Sequence, residues 1–305
     1  MGITAYKGPI LATGGFGAPY FTGISESNDT PGPSCFSHGV GLLDWRWGPY
    51  GSGDVTNVIP NWFATSWINV LDQAPSLHAT NNIVAAAVPV AGTPLVLAGA
   101  STGITVLATA LTVTPGNVVP AGCLVIDGNP AFIQLAQQAG GLSQYDARTM
   151  ISRCLIFTSA GTDTGATASV VGYDVYGAPM HQTITLGSSG VPVTTLKAFK
   201  FIQSITPAGT LSGSNLSVGT SDTYGFPLAV FEFPFVQIYW NNALISSNTG
   251  FTAAVTTSPS TAVLGDVRGT YLTTSASDGT KKLQVFIMPQ AWNDTATTLW
   301  GVQQF

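Results

Sequence analysis

The sequence predicts an all-β protein, an antiparallel β-sandwich or barrel of jelly-roll type that carries an extended N-terminal arm. Three observations predict it. Charged residues make up only 8% of the 305 residues, and Glu occurs only at Glu26 and Glu232; surface helices draw on the Glu and Lys that are missing here. Short apolar or β-branched runs recur at intervals of about ten residues between Gly- and Pro-rich breaks. Several of these runs alternate apolar and polar positions with period two.

Residues 1–35 form the arm. They hold Gly2, Gly8, Gly14, Gly15, Gly17, Gly23 and Gly32 with Pro9, Pro19, Pro31 and Pro33, too many breakers for regular structure. Phe16, Tyr20 and Phe21 are apolar, so this arm is expected to lie on the body or on a neighbour. Residues 36–80 form an aromatic-rich irregular segment in which Trp45, Trp47, Trp62 and Trp67 gather. Such clusters serve cores and interfaces; a sugar platform is the less favoured reading. Asn61–Leu71 is a candidate short helix.

Residues 81–305 form the β body, with a seam that would divide it into 81–141 and 142–305. Strands are expected over Ile83–Val90, Pro94–Ala98, Ile104–Val113 and Cys123–Ile126, with Asn129–Ala139 as a second candidate helix or crossover. Arg153–Tyr176 is the most clearly patterned stretch. Leu155 and Phe157 alternate with Ile156 and Thr158. Ser159–Gly165 breaks the pattern. Ala168, Val170 and Gly172 then alternate with Ser169, Val171 and Tyr173. This reads as a β-hairpin. A turn over Asp174–Met180 leads into a strand over His181–Leu186. Its pattern, Asp-x-Tyr-Gly-x-Pro-apolar, returns at Asp222–Leu228. Asp bonds its own backbone, Gly supplies positive φ and Pro sets the exit, so one turn device is expected twice. Later strands are expected over Val193–Phe201, Ile202–Pro207, Leu216–Gly219, Phe235–Trp240, Phe251–Val255, Thr270–Thr274 and Lys281–Ile287. The tail ends in the apolar Trp300 and Phe305.

The chemistry searched for is absent from the motifs. His38, His78 and His181 sit in no metal-binding or catalytic spacing, and no nucleophile elbow or phosphate loop occurs. Paired glycosidase carboxylates are not indicated when the aspartates sit in turns. Thr162–Gly165 with Asp174 offers oxygens for a structural cation, but no calcium-loop spacing exists. No metal or cofactor is expected, and no catalytic residue. Cys35, Cys123 and Cys154 are odd in number and lack CxxC spacing, so reduced thiols are expected. The net charge of −5 and the single Lys281–Lys282 basic pair argue against direct nucleic-acid binding. No apolar run is long enough to span a membrane. Asp266 and Arg268 flank Val267 and are expected on one side of a strand, as a salt-bridged edge or a subunit contact.

The Ser159–Gly165 turn, the Gly172–Met180 turn and the run Lys197-Ala198-Phe199-Lys200-Phe201-Ile202-Gln203-Ser204-Ile205, with Gly265–Tyr271, resemble structural proteins of tailed bacteriophages. The resemblance covers Arg153–Leu228 well and the rest loosely. It implies a non-enzymatic virion β protein, assembled in the host cytoplasm, and carries over no catalytic residue. So few charges leave a surface suited to burial in an assembly. Within the class, the expectation is a capsid decoration or cement protein, a homo-oligomer with a trimer favoured, bound to the major capsid protein or other virion proteins. The expected contacts are Phe16, Tyr20, Phe21, Trp45, Trp47, Trp62, Trp67, Arg268, Trp300 and Phe305. The alternative is a tail or adhesion component that binds a host surface polysaccharide.

Overall fold

A computed structural model describes residues 68–114, 117–128, 132–134, 143–145, 151–255 and 261–287. Apart from Ile68, these belong to one compact unit that begins at Asn69. The expected contacts Phe16, Tyr20, Phe21, Trp45, Trp47, Trp62, Trp67, Trp300 and Phe305 lie outside the described residues.

The described residues are all-β. In chain order the strands are β1 (Ile68–Gln73), β2 (Ala79–Ala87), β3 (Ile104–Val106), β4 (Leu111–Thr114), β5 (Asn117–Val119), β6 (Leu124–Ile126), β7 (Phe132–Gln134), β8 (Ser143–Tyr145), β9 (Arg153–Ser159) and β10 (Ala166–Tyr173). They continue as β11 (Pro179–Thr185), β12 (Val193–Thr194), β13 (Phe201–Gly209), β14 (Leu216–Gly225), β15 (Val236–Trp240), β16 (Ala243–Ile245), β17 (Phe251–Thr252), β18 (Thr270–Leu272) and β19 (Leu283–Ile287). One 3-10 turn, Phe233–Phe235, precedes β15.

Two sheets face each other. One runs β11-β10-β13-β6-β3; the other runs β12-β9-β14-β18-β17, with β2 also paired to β14. Period-two alternation turns Ala166, Ala168, Val170, Met180, Ile184 and Ile205 from the first sheet against Leu155, Phe157, Leu216 and Val218 from the second. Each large side chain buried there contributes about 1.5–3 kcal/mol. Ile83, Ile104, Leu124 and Ile126 join the same layer, so strands before and after residue 142 share one core. The opposite face of β6 and β13 is covered too: Val125 and Phe201 pack with Val113 and Val119 of the β4–β5 hairpin. A four-stranded sheet, β1-β19-β15-β16, completes the unit. Its β15–β16 hairpin turns through Asn241 and Asn242, both at positive φ, as a two-residue hairpin loop demands.

Several expectations are corrected. Ser159–Gly165 is not a hairpin loop. β9 pairs with β12 and β14, whereas β10 pairs with β11 and β13, so the loop crosses from one sheet to the other. Buried Asp163 holds the crossing: its carboxylate accepts from Ser159 Oγ and from the Ser212 amide at 2.5 Å. The β10–β11 hairpin is as read. Asp174 Oδ1 accepts from the amides of Tyr176 (2.8 Å) and Ala178 (2.9 Å), and Gly177 sits at φ +75°. The second copy is not a turn, because Asp222–Gly225 lies within β14. Ile68–Leu71 is strand rather than helix, and Phe132–Gln134 pairs with β8; backbone pairing across the sheet overrides local propensity. Ile104–Val113 divides at Leu107, whose backbone bonds Cys123 and Gly122. Pro94–Ala98 is not a strand, although the Leu95 amide bonds Ile205 O at 2.8 Å. Lys197–Lys200 is loop, and β13 starts after it.

Candidate interaction surface

Among the described residues, Arg153, Lys197, Lys200 and Arg268 are turned inward. Arg153 is fully buried at the start of β9. Its Nε donates to Ser221 O (2.8 Å), and one terminal nitrogen donates to Ser76 O (2.9 Å) and toward Asp127 (3.5 Å). The other donates to Ser277 Oγ (3.0 Å) and Asp222 Oδ1 (3.3 Å), and the guanidinium lies 5.1 Å from the Tyr224 ring centroid. One side chain thus ties together β9, β14 and the segments after β1, after β6 and before β19.

Arg268 repeats the theme. It is 2% exposed, in an irregular segment before β18, and its guanidinium donates to Asp174 at 2.5 Å and stacks 5.3 Å from the Tyr176 ring. Burial alone would lower this guanidinium; Asp174 and Asp266 outweigh it and hold the group above its ordinary value. Arg268 therefore makes no surface contact. Asp266 does not share a strand face with it: one Asp266 oxygen accepts from the Arg268 amide (2.9 Å), the other from the Ala198 amide (3.1 Å). The recurring Asp-x-Tyr of the sequence is thus an arginine receptor used twice, Asp174 and Tyr176 for Arg268, Asp222 and Tyr224 for Arg153. Tyr176 Oη also donates to Pro227 O at 2.6 Å, joining the first copy to the second.

Lys197 and Lys200 are buried as well. Lys197 Nζ donates to the carbonyls of His181 (2.9 Å) and Thr261 (2.8 Å), and Lys200 Nζ donates to that of Ile126 (2.6 Å). Burial pulls each ammonium down to about 8, against the pull of Asp266 on Lys197 and of Asp127 on Lys200. Among the described cationic side chains, Lys281 and Lys282 remain outside, and they pair with Asp278 and Asp72.

One solvent-facing stretch is neutral. From Gln73 to Ile126 the sequence has no Asp, Glu, Lys or Arg. Within that stretch Ala85–Ala87 are exposed, and Val88, Val90 and Val96 are 58%, 62% and 88% exposed. The loop carrying them is fixed rather than loose. The amides of Gly92, Leu95 and Ala98 bond the carbonyls of Pro207, Ile205 and Ile83 at 2.7–2.8 Å, and Leu95 and Leu97 pack on the core. Reading these residues as strands hid this surface; the long uncharged run was the available signal.

Other chemical groups resolve into structure. His181 Nε2 lies 2.8 Å from Ser169 Oγ across β10 and β11. Burial and Lys197 lower that imidazole. Among the described residues no carboxylate bonds its ring, as the third member of a catalytic triad would. Asp163 and Asp174 stand at opposite ends of β10 and form no shared cation site. Among the described residues, no three His, Cys, Asp or Glu side chains gather as a metal site. Cys123 and Cys154 are free and buried; burial pushes the Cys123 thiol up to about 11 and Cys154 further. No described helix is long and apolar enough to cross a membrane. Comparison with family models, curated proteins and solved structures finds no match to this chain.

Proposed function

We propose that this protein is a non-enzymatic structural subunit of a bacteriophage virion, a capsid decoration protein that binds the major capsid protein as a homo-oligomer, with three copies expected. One observation carries the reading: the exposed valines of the 88–97 loop stand in an uncharged stretch of chain while Arg153, Arg268, Lys197 and Lys200 are buried. Large apolar side chains exposed on a fixed loop are candidates for contact with a partner. Burial at about 25 cal/mol per Å² would supply the attachment energy, less the cost of association. The resemblance of Arg153–Leu228 to tailed-phage structural proteins supplies the assembly. Quantitative mass spectrometry of purified particles tests the reading. Hundreds of copies on the shell, removed together with its resistance to heat, are expected; a few copies confined to the tail would overturn it.

A further inference from the structure

In the β1-β19-β15-β16 sheet, β15 and β19 bury one set of alternate residues and leave the other set half-buried. Val236, Ile238, Trp240, Leu283, Val285 and Ile287 are buried. The alternate residues Gln237, Tyr239, Gln284 and Phe286 line a shallow hollow of about 300 Å³. Register sets Gln237 opposite Phe286 and Tyr239 opposite Gln284, so amides and rings alternate along and across the strands. The two ring centroids are 5.8 Å apart with planes at 81°, so one ring presents its edge where the other presents its face. Among the described residues, no charged side chain lines the hollow. Lys282, two residues from Gln284, is paired with Asp72 at 3.0 Å.

We propose that this hollow binds an uncharged saccharide unit, a neutral pyranose within a glycan chain. A sugar ring combines an apolar C–H face with a rim of hydroxyls that both donate and accept. The lining matches each part: rings for the C–H face, and carboxamides that donate and accept for the hydroxyls. Among the described residues an ionic ligand would find no counter-charge, and a hydrocarbon would strand two amides without partners. Stacked nucleotides would need cations for their phosphates, and the described lining offers none. The site is carried on paired strands backed by buried Ile238 and Val285, which holds the four side chains in place without a loop rearrangement. The inference does not rest on where in a virion the protein sits.

The test is retention of the full-length chain on an array of neutral glycans (hexose, N-acetylhexosamine and deoxyhexose polymers) beside sialylated and uronate glycans. Retention on at least one neutral glycan is expected. Tyr239→Ala and Gln284→Leu should each weaken it about tenfold or more, with circular dichroism unchanged. If Tyr239→Ala does not fold, Gln284→Leu decides. Retention by acidic glycans alone, by no glycan, or undiminished in the folded variants would overturn the proposal. None of these outcomes alters the copy number on particles, which tests the decoration reading separately.

Discussion

At the residue scale, the molecule is governed by a few buried ions. Asp174 and Arg268 are both removed from water; Asp174 holds Arg268 charged, while burial raises the Asp174 carboxyl against the pull of Arg268. Removing one partner of such a pair strands the other, which costs about 3–5 kcal/mol. Asp174→Ala is therefore expected to lower the urea midpoint strongly at an unchanged m-value. The double replacement Asp174→Leu with Arg268→Met should cost less than the sum of the two single ones. A loss below about 1 kcal/mol in Asp174→Ala would show that the pair contributes little. Lys200 gives a pH signature. Its folded value, about 8, lies below its ordinary 10.5. Between those two values the unfolded chain holds a proton that the folded chain has released, so stability rises as pH climbs through that window. Below about 8 the penalty of burying the ammonium is fully present. The buried thiols oppose this above about pH 9, because unfolded cysteines ionise there while Cys123 and Cys154 stay protonated. Comparison with Lys200→Met isolates the lysine. The wild type should gain on the variant by up to roughly 3 kcal/mol from pH 8 to 10.5. A difference that stays flat across that range would exclude the depressed value.

At the element scale, what was legible in the sequence was local, and what was not legible depended on distant partners. The Asp174 turn could be read because Asp174, Gly177 and Pro179 satisfy one another within seven residues. The same letters at Asp222 misled, because Asp222 is held by Arg153 and Ser277, 69 and 55 residues away. The Ser159–Gly165 loop looks the same to pattern reading whether it joins paired strands or crosses between sheets. The Asp163 bond to Ser212, 49 residues on, decides it. Apolar alternation was thus visible, while strand number and sheet membership were not. The half-buried face of β15 and β19 was partly visible: Phe235–Trp240 and Lys281–Ile287 were read as strands, but their cross-strand register was not. Gly172 offers a test of element geometry. A register shift separates it from Val171, and a Cβ there would meet Phe201 O at 2.1 Å. Gly172→Ala must push β10 away from β13, which is expected to cost about 1–3 kcal/mol. Thermal unfolding checks this, and an unchanged midpoint would mean the strands give way without loss.

At the scale of the whole molecule, four buried cations and the exposed valines of the 88–97 loop, all among the described residues, reverse the usual placement. The reversal makes sense if the free chain is not the working state. The Val88–Leu97 loop can be separated from the fold by substitution, because Val96 is 88% exposed and its side chain supports little. Exposed replacements away from packed features change stability by about 0.5 kcal/mol or less, so Val96→Asp should leave the thermal midpoint within about 2 °C. On particles the outcome should differ sharply. A carboxylate buried without a partner at a capsid contact carries a desolvation penalty of several kcal/mol, enough to reduce occupancy by orders of magnitude at limiting protein. Titration of the purified chain onto particles stripped of it measures this directly. Val96→Asp and Val88→Asp should bind far more weakly than the wild type, and a control at the exposed Val263 should bind normally. Equal binding by all three variants would place the contact elsewhere on the molecule and remove the 88–97 loop from the attachment surface.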